Sequence, residues 1–462
     1  MPNDSYQKEM NTSGKLSNTK GARSRYATPA RILRRLAVGI GALMALFFLL
    51  NWIFPLHDKI EYSTIVTDSK GALINAYLTT DQKWRMKTEL REISPLLRKT
   101  IIAKEDKYFY SHPGVNPVAA VRALLKNIMQ MKTTSGASTI TMQVARALEH
   151  RKRNIGSKII ETFRALQLEL KYSKDEILQM YLNLVPYGGN IEGVKSASIL
   201  YFNKDPDHLS LGEITALCVI PNRPSSLVMG KNNGLIILER NKWLRKFANE
   251  KVFTHKEIED ALAEPLTASR GTIPHYVPHL SYKLKQQGGD IIRTNIVMNT
   301  QMKTEKLVAD YVRTLRLKDI KNAAVVVIDN RTHKVITYVG SSDFHDTADG
   351  GQVNGAAAVR EPGSTLKPLL YALCIDEGLE TPKKVVADVG VNYAGYSPEN
   401  YDKKFNGYVT VEYALEHSLN IPAVKSLKLL GKEKLIQKLA ACNFKQIKKD
   451  QKKLGLSMIL GG

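Results

Sequence analysis

The chain has 462 residues, a formal net charge of +23, 43% hydrophobic and 24% charged residues. This composition excludes a disordered chain, and the length leaves room for two or three domains with proper cores. The basic excess asks for a polyanionic partner: nucleic acid, anionic lipid or a phosphorylated substrate. Cys218, Cys374 and Cys442 stand far apart without metal spacing, and read as buried small apolar residues rather than a disulfide framework.

Residues 1–35 form a polar, basic tail. Residues 36–54 (LAVGIGALMALFFLLNWIF) are free of charge for about 19 positions, enough for a helix to cross a bilayer core. Arg31, Arg34 and Arg35 flank the N-terminal side, which keeps the tail cytoplasmic, and Trp52 suits the far interface. A cleaved signal peptide has a shorter apolar core and a small-residue cleavage site, whereas PLHDKIEY follows Phe54. A buried core helix is the other alternative. The reading taken here is a single transmembrane anchor with everything beyond about residue 58 outside the cytoplasm. Nucleic acid then drops out as a partner, and a lipid-linked or cell-wall substrate comes forward.

Residues 60–78 alternate and predict a hairpin turning at Asp68–Gly71. A helix is predicted over 93–104, with Ser94 as N-cap and Pro95 at its first position, delivering Glu105 at its end. Further helices are predicted over 117–131, 141–149, 155–171, 174–184 (Ser173 capping, Glu176 in the capping box) and 209–219, with a small-residue loop over 133–139. From 227 to about 294 amphipathic helix and loop read as a connector. Residues 296–315 read as a short strand and a helix. AAVVVID and HKVITYVG predict an antiparallel hairpin; a Gly-rich loop and a helix opening at Ser364 follow.

The chemistry concentrates between 101 and 183. Glu105-Asp106 sits beside Tyr108, Phe109, Tyr110 and His112; about 55 residues on, Glu161 lies among cations. Two carboxylates with cations between them suit activation of a hydroxyl while an anionic leaving group is held. Lys158 and Glu161, three apart, share a helix face. An ordinary surface ion pair is the plainer reading of that pair, and helix capping of Ser138 and Thr139. Farther on, Ser364 at a helix start and Lys367 one turn along suit a nucleophile and its proton acceptor.

These stretches carry a family likeness. KEDKYFYSHPG, GASTITMQVAR, SKIIETFRALQLE, EILQMYLN and LSLGEITAL with PNRPSSL resemble the five motifs of family 51 glycosyltransferases, the peptidoglycan polymerases. PGSTLK and HSLN resemble the first two motifs of penicillin-binding transpeptidases. In combination and order they are similar to the bifunctional class A penicillin-binding proteins of the 1C type. The resemblance implies polymerisation of lipid II with loss of undecaprenyl pyrophosphate and inversion at the anomeric carbon. It implies Glu105 as general base, its basicity raised by an apolar wall of Tyr108 and Phe109. Glu161 would orient the pyrophosphate, directly or through a divalent cation (Mg or Mn), with no cofactor otherwise required. Arg146, Arg153 and Lys158 would hold the pyrophosphate; Asp106, His112, Ser138, Thr139 and Gln143 would contact donor sugar and phosphate. Asn183 would be structural as much as catalytic. Ser364 and Lys367 would be the acylation pair, with Ser418 and Asn420 as the second motif. The sequence departs at Ser157, where the family usually has Arg, and at Met142, where it usually has a paired Gln.

The implied architecture is multidomain: basic tail 1–35, transmembrane helix 36–54, a mainly-α, lysozyme-like glycosyltransferase domain 58–226, a connector 227–320, and a partial α/β, serine β-lactamase-like transpeptidase domain 321–462. Partners would be lipid II, the growing glycan strand, the bacterial cytoplasmic membrane and other cell-wall synthesis proteins. The Met-rich run 127–132 would either dip into the bilayer or end a core helix. The third transpeptidase motif is not found after Asn420, so a C-terminally truncated second domain is expected, with transpeptidase activity in doubt. A non-catalytic cell-wall scaffold and a lysozyme-like glycan hydrolase are the competing functions.

Overall fold

A computed structural model describes residues 29–118, 122, 138–149 and 154–462. Arg153, the run 127–132 and most of the predicted helix 117–131 lie outside the described residues. The described chain forms two compact units. One runs to Tyr311 and takes in Val325–Val339; the other comprises Val312–Ala324 and Gly340–Gly462.

The first unit opens with helix α1 (Pro29–Ile53), whose Val38, Leu43, Phe48 and Trp52 are exposed. The described side chains of its apolar run begin at Ala37, and no helix among the described residues is long and apolar enough to cross a membrane. Strands β1 (Ile65–Thr67) and β2 (Leu73–Ala76) form the predicted hairpin. The Asp68 carboxylate accepts the amides of Lys70 and Ala72, and Gly71 takes the left-handed φ of +90° that the turn requires. A short strand β3 (Trp84–Arg85) leads to α2 (Pro95–Glu105), where Ser94 accepts the Leu97 amide. Then come α3 (Ile140–Glu149), α4 (Ile155–Lys171) and α5 (Lys174–Leu184), the last with the predicted Ser173–Glu176 capping box. Strand β4 (Ile191–Glu192) pairs in parallel with β3, and α6 (Val194–Phe202) and α7 (Leu211–Val219) complete the helical core. Leu97, Ile101, Phe109, Ile140, Val144, Leu168, Ile177 and Ile214 meet in it, each under 4% exposed. Helix α7 is buried nearly all round, whereas α3 buries one face and leaves Gln143 and Arg146 partly open on the other.

Three parts of this unit differ from the sequence reading. The segment after 227 is not a loose connector. Its helices α8 (Asn233–Asn249) and α9 (His255–Ala263) bury Leu244, Phe247, Phe253, Ile258 and Ala261 with Leu211 of α7, and Leu96 and Ala103 of α2 pack on that cluster. Beyond α10 (Pro278–Lys285), strand β5 (Ile291–Arg293) adds in parallel to β1, giving the order β2-β1-β5. After α11 (Met298–Leu315), the hairpin β6 (Val325–Asp329) and β7 (Lys334–Val339) forms as predicted but belongs to the first unit rather than the second. The Gln301 side-chain amide bonds both peptide groups of Tyr338, at 2.8 and 3.0 Å, and fixes it there.

The second unit packs α12 (Lys367–Asp376) against α14 (Asn420–Leu430), and α14 against α15 (Lys432–Ala441), with α13 (Val411–Glu416) and the antiparallel pair β8 (Val385–Asp388) and β9 (Gly407–Thr410) beside them. Leu370, Cys374, Val424, Leu427, Leu435 and Ile459 are its buried centre. Cys218 and Cys374 are buried as expected, but Cys442 is exposed because it follows the last turn of α15.

Phe247→Ala tests whether α8 is core or linker. Its ring is 1% exposed and meets Trp243 and Phe253, so truncation is expected to cost about 3–5 kcal/mol. Thermal unfolding followed by circular dichroism should show an earlier transition; an unchanged midpoint would mean that this segment does not share the core.

Candidate active site

Helix α3 carries the arrangement. Gln143 and Arg146, three residues apart, lie on one face. The Gln143 amide donates to Glu105 Oε2 at 3.0 Å, and Arg146 donates to both oxygens of Glu161, Nε to Oε1 at 2.6 Å and Nη2 to Oε2 at 2.9 Å. One helical turn therefore ties together two carboxylates that are 56 positions apart in the chain (161 − 105). Lys158 Nζ adds a bond to Glu161 Oε2 at 2.8 Å and a second to Ser138 Oγ, just before α3 begins.

Glu105 ends α2, where the chain must leave the helix. Its carboxylate is 11% exposed and bonded to the Lys104 ammonium. The expected apolar wall is not what it meets: Phe109 is fully buried, Tyr108 is exposed, and the groups bonded to Glu105 are a cation and an amide. Glu105 lines a cavity of about 330 Å³ with Ser138, Thr139, Arg122, Lys246 and Glu250. Lys246 and Glu250 come from the end of α8 and the residue after it, so the segment read as a connector supplies a wall of the site. No sequence signal of position marked them, since charged residues on an amphipathic helix are usually solvated.

Glu161 is 2% exposed, while the side chains of Arg146 and Lys158 are 23% and 43% exposed. Burial pushes its pKa up, but the bonds from Arg146 and Lys158 outweigh burial and hold it below the ordinary 4.5. The cations face outward and the carboxylate stands behind them.

Four other predicted residues act inside the protein. Asp106 accepts from His112 Nε2 at 3.0 Å and from the Ile140 amide at 3.1 Å, capping α3. His112 is buried, and its Nδ1 has no partner among the described residues. Thr139 accepts the Met142 amide at 3.1 Å and donates to the Gly114 carbonyl, so it too is a cap. Asn183 is fully buried and spends its side chain on both peptide groups of Thr88 and the Gln179 carbonyl. It joins α5 to the loop before α2 and has nothing left for a ligand.

In the second unit Ser364 is exposed in a short 3-10 turn (Gly363–Leu366) that leads into α12. Lys367, 1% exposed, donates to Ser418 O at 2.6 Å, Ser418 Oγ at 3.2 Å and Asn420 Oδ1 at 2.7 Å. Burial lowers its pKa to about 8, within reach of a proton-accepting amine at neutral pH. Sequence reading missed Asn400, whose Oδ1 accepts the Asn420 amide at 2.8 Å and whose own amide is held by the buried Asp388. A loop asparagine twenty positions away carries no periodic signal.

Comparison with known proteins agrees with both halves. Residues 70–248 match the transglycosylase family, and residues 323–457 match the penicillin-binding protein transpeptidase domain. Penicillin-binding protein 1C of Escherichia coli is 34% identical over 412 residues, 89% of this chain and 53% of that protein. The chain thus carries a region similar to the transglycosylase family followed by one similar to the penicillin-binding protein transpeptidase domain. Penicillin-binding protein 1F of Bacillus subtilis is 29% identical over 85% of this chain and 57% of its own length. A crystal structure of penicillin-binding protein 1A from Haemophilus influenzae is similar at a TM-score of 0.40, with 17% identity over 87% of this chain and 66% of that one. The chain spans about half the length of the curated relatives it matches.

The depressed Glu161 gives a signed prediction. Its charged form is favoured by folding, so its contribution is complete above about pH 4.5 and is lost as pH falls through the lower folded value. The difference in unfolding midpoint between wild type and Glu161→Gln should be clear at pH 7 and shrink below pH 4.5; a difference independent of pH would contradict the assignment.

Proposed function

We propose that the protein is a peptidoglycan glycosyltransferase that polymerises lipid II into glycan strands. Glu105 takes the proton of the acceptor hydroxyl as its oxygen forms a bond to the anomeric carbon of the growing strand. The bond from that carbon to the pyrophosphate oxygen breaks on the opposite face, and undecaprenyl pyrophosphate leaves with its electron pair. Lys158 and Arg146 meet the phosphate oxygens, and Arg153 is assigned the same task. Glu161 is a positioning residue: nearly out of contact with solvent, it holds the two cations in place. The observation that carries this reading is the single turn of α3 that bonds Glu105 through Gln143 and Glu161 through Arg146.

The site does not suit a divalent cation. Both oxygens of Glu161 are engaged by ammonium and guanidinium donors, and the described residues contain no group of three or more His, Cys, Asp or Glu able to hold a metal. A hydrolase with two carboxylates would have no use for the cations around Glu161, and a scaffold no use for Glu105 in a cavity.

The reading extends to a bilayer. The uncharged run 36–54 and the exposed apolar face of α1 support a single-pass anchor in the bacterial cytoplasmic membrane, with the catalytic units outside. Arg164 and Gln167 of α4 bond the Phe54 carbonyl and Asn51, so the end of α1 is fastened to the helix that bears Glu161. We assign the first unit a lysozyme-like fold. In the second unit, a β-lactamase-like one, Ser364 is assigned as nucleophile and Lys367 as its base, with Ser418 and Asn420 completing the site.

Purified protein in detergent should polymerise lipid II, and Glu105→Gln should lose about two to four orders of magnitude in rate while staying folded. Strand synthesis by Glu105→Gln at the wild-type rate would overturn the assignment of the base.

A further inference from the structure

Helix α14 begins without a cap of its own. Leu419 stands at its N-cap position and offers no side-chain acceptor. Asn400, twenty positions earlier, caps it from outside: its Oδ1 accepts the Asn420 amide at 2.8 Å and the Ile421 amide at 3.4 Å. The neighbouring Glu399 carbonyl accepts the Asn420 side-chain amide at 2.8 Å, which leaves Asn420 Oδ1 facing Lys367. Ser418, the other partner of Lys367, takes a left-handed φ of +52°, which a residue with a Cβ holds only under constraint. Behind Asn400 stands the fully buried Asp388, at the end of β8. Its oxygens accept from Asn400 Nδ2, at 2.9 Å each, and from the backbone and side-chain amides of Asn406, at 2.9 and 2.7 Å. All of these donors are neutral, and the Lys425 ammonium of α14 goes to the Ala387 carbonyl instead. A buried carboxylate without a bonded cation is a costly feature.

We propose that Asp388, acting through Asn400, is a positioning residue for the acylation site of the second unit. This rests on the assignment of Ser364 and Lys367 as nucleophile and base. An ionised carboxylate only accepts, so it admits Asn400 in one orientation, with Nδ2 toward Asp388 and Oδ1 toward the start of α14. The Lys404 carbonyl, accepting from the same Nδ2 at 2.9 Å, asks for the same orientation. The direction of each amide is then passed along. Asp388 turns Asn400; Glu399 and Asn400 seat Asn420 by its side chain and its backbone; Asn420 and Ser418 receive the three bonds of the Lys367 ammonium. Neither Asp388 nor Asn400 has a bond to Ser364 or Lys367, so their influence runs through Asn420.

The test is acylation of the full chain in detergent by a fluorescent penicillin, under single-turnover conditions. Acylation opens the lactam C–N bond onto Ser364 Oγ, and the hydroxyl proton passes by way of Lys367 to the lactam nitrogen. Asp388→Asn is isosteric, but Asn400 Nδ2 touches both oxygens, so either orientation of the new amide sets an N–H against it. The first-order acylation rate should fall about tenfold while the dissociation constant of the penicillin stays the same. Adding Asn400→Asp again sets a donor against an acceptor and should recover part of the rate, which general destabilisation would not. Asn406→Ala removes one donor from Asp388 at an exposed position. It should lower the rate by less, and serves if Asp388→Asn does not fold. A wild-type rate in folded Asp388→Asn or Asn406→Ala, or a loss that falls on the dissociation constant alone, overturns this inference and leaves Ser364 and Lys367 as assigned. Labelling that is absent from wild type, or unchanged in Ser364→Ala, overturns both.

Discussion

The structure turns on the fork between Arg146 and Glu161. A carboxylate that is 2% exposed cannot remain charged without partners, because burial of an unpaired ion costs several kcal/mol. Arg146 answers with two parallel bonds and Lys158 with a third. The arrangement then runs outward: the buried anion fixes two cations, and the cations present their remaining donors where an anionic group can arrive. Taking Glu161 away would leave like charges facing each other; taking Arg146 away would leave a buried anion short of donors, a loss of about 3–5 kcal/mol in comparable pairs.

The same helix serves the opposite end of the site. Asp106 and Thr139 cap α3 from the motif around Glu105 and from the loop before it. Glu105 and the cations are thus fixed to one rigid element rather than to separate loops, which is what precise placement of a site's groups requires. Several residues that look like ligand contacts by their motif are the means of this fixing. Asp106, Thr139 and Asn183 spend their polar atoms on the protein itself, as His112 does its Nε2.

What the sequence disclosed was local. Ser94-Pro95 and the Ser173–Glu176 box marked helix starts because caps satisfy amides within the same turn. The pairing of Lys158 with Glu161 followed from helical spacing alone. What it did not disclose depends on partners far along the chain. Strand β5 meets β1 across some two hundred residues, and α8 and α9 have an amphipathic period that says they bury a face but not against what. The hairpin β6–β7 was legible as a hairpin, yet its place in the first unit is decided by Gln301. The aromatic residues after Glu105 suggested an apolar wall, but Phe109, which opens a 3-10 turn, points inward while Tyr108 just before it faces solvent.

Direct binding of a short-chain prenyl pyrophosphate, followed by calorimetry, separates the roles given to the two ends of the site. The account predicts that Glu105→Gln binds it as wild type does, because the base touches the acceptor side, and that Lys158→Met loses at least about tenfold in affinity, a single charge-assisted contact. Binding that collapses in Glu105→Gln and survives in Lys158→Met would contradict the division of labour across α3.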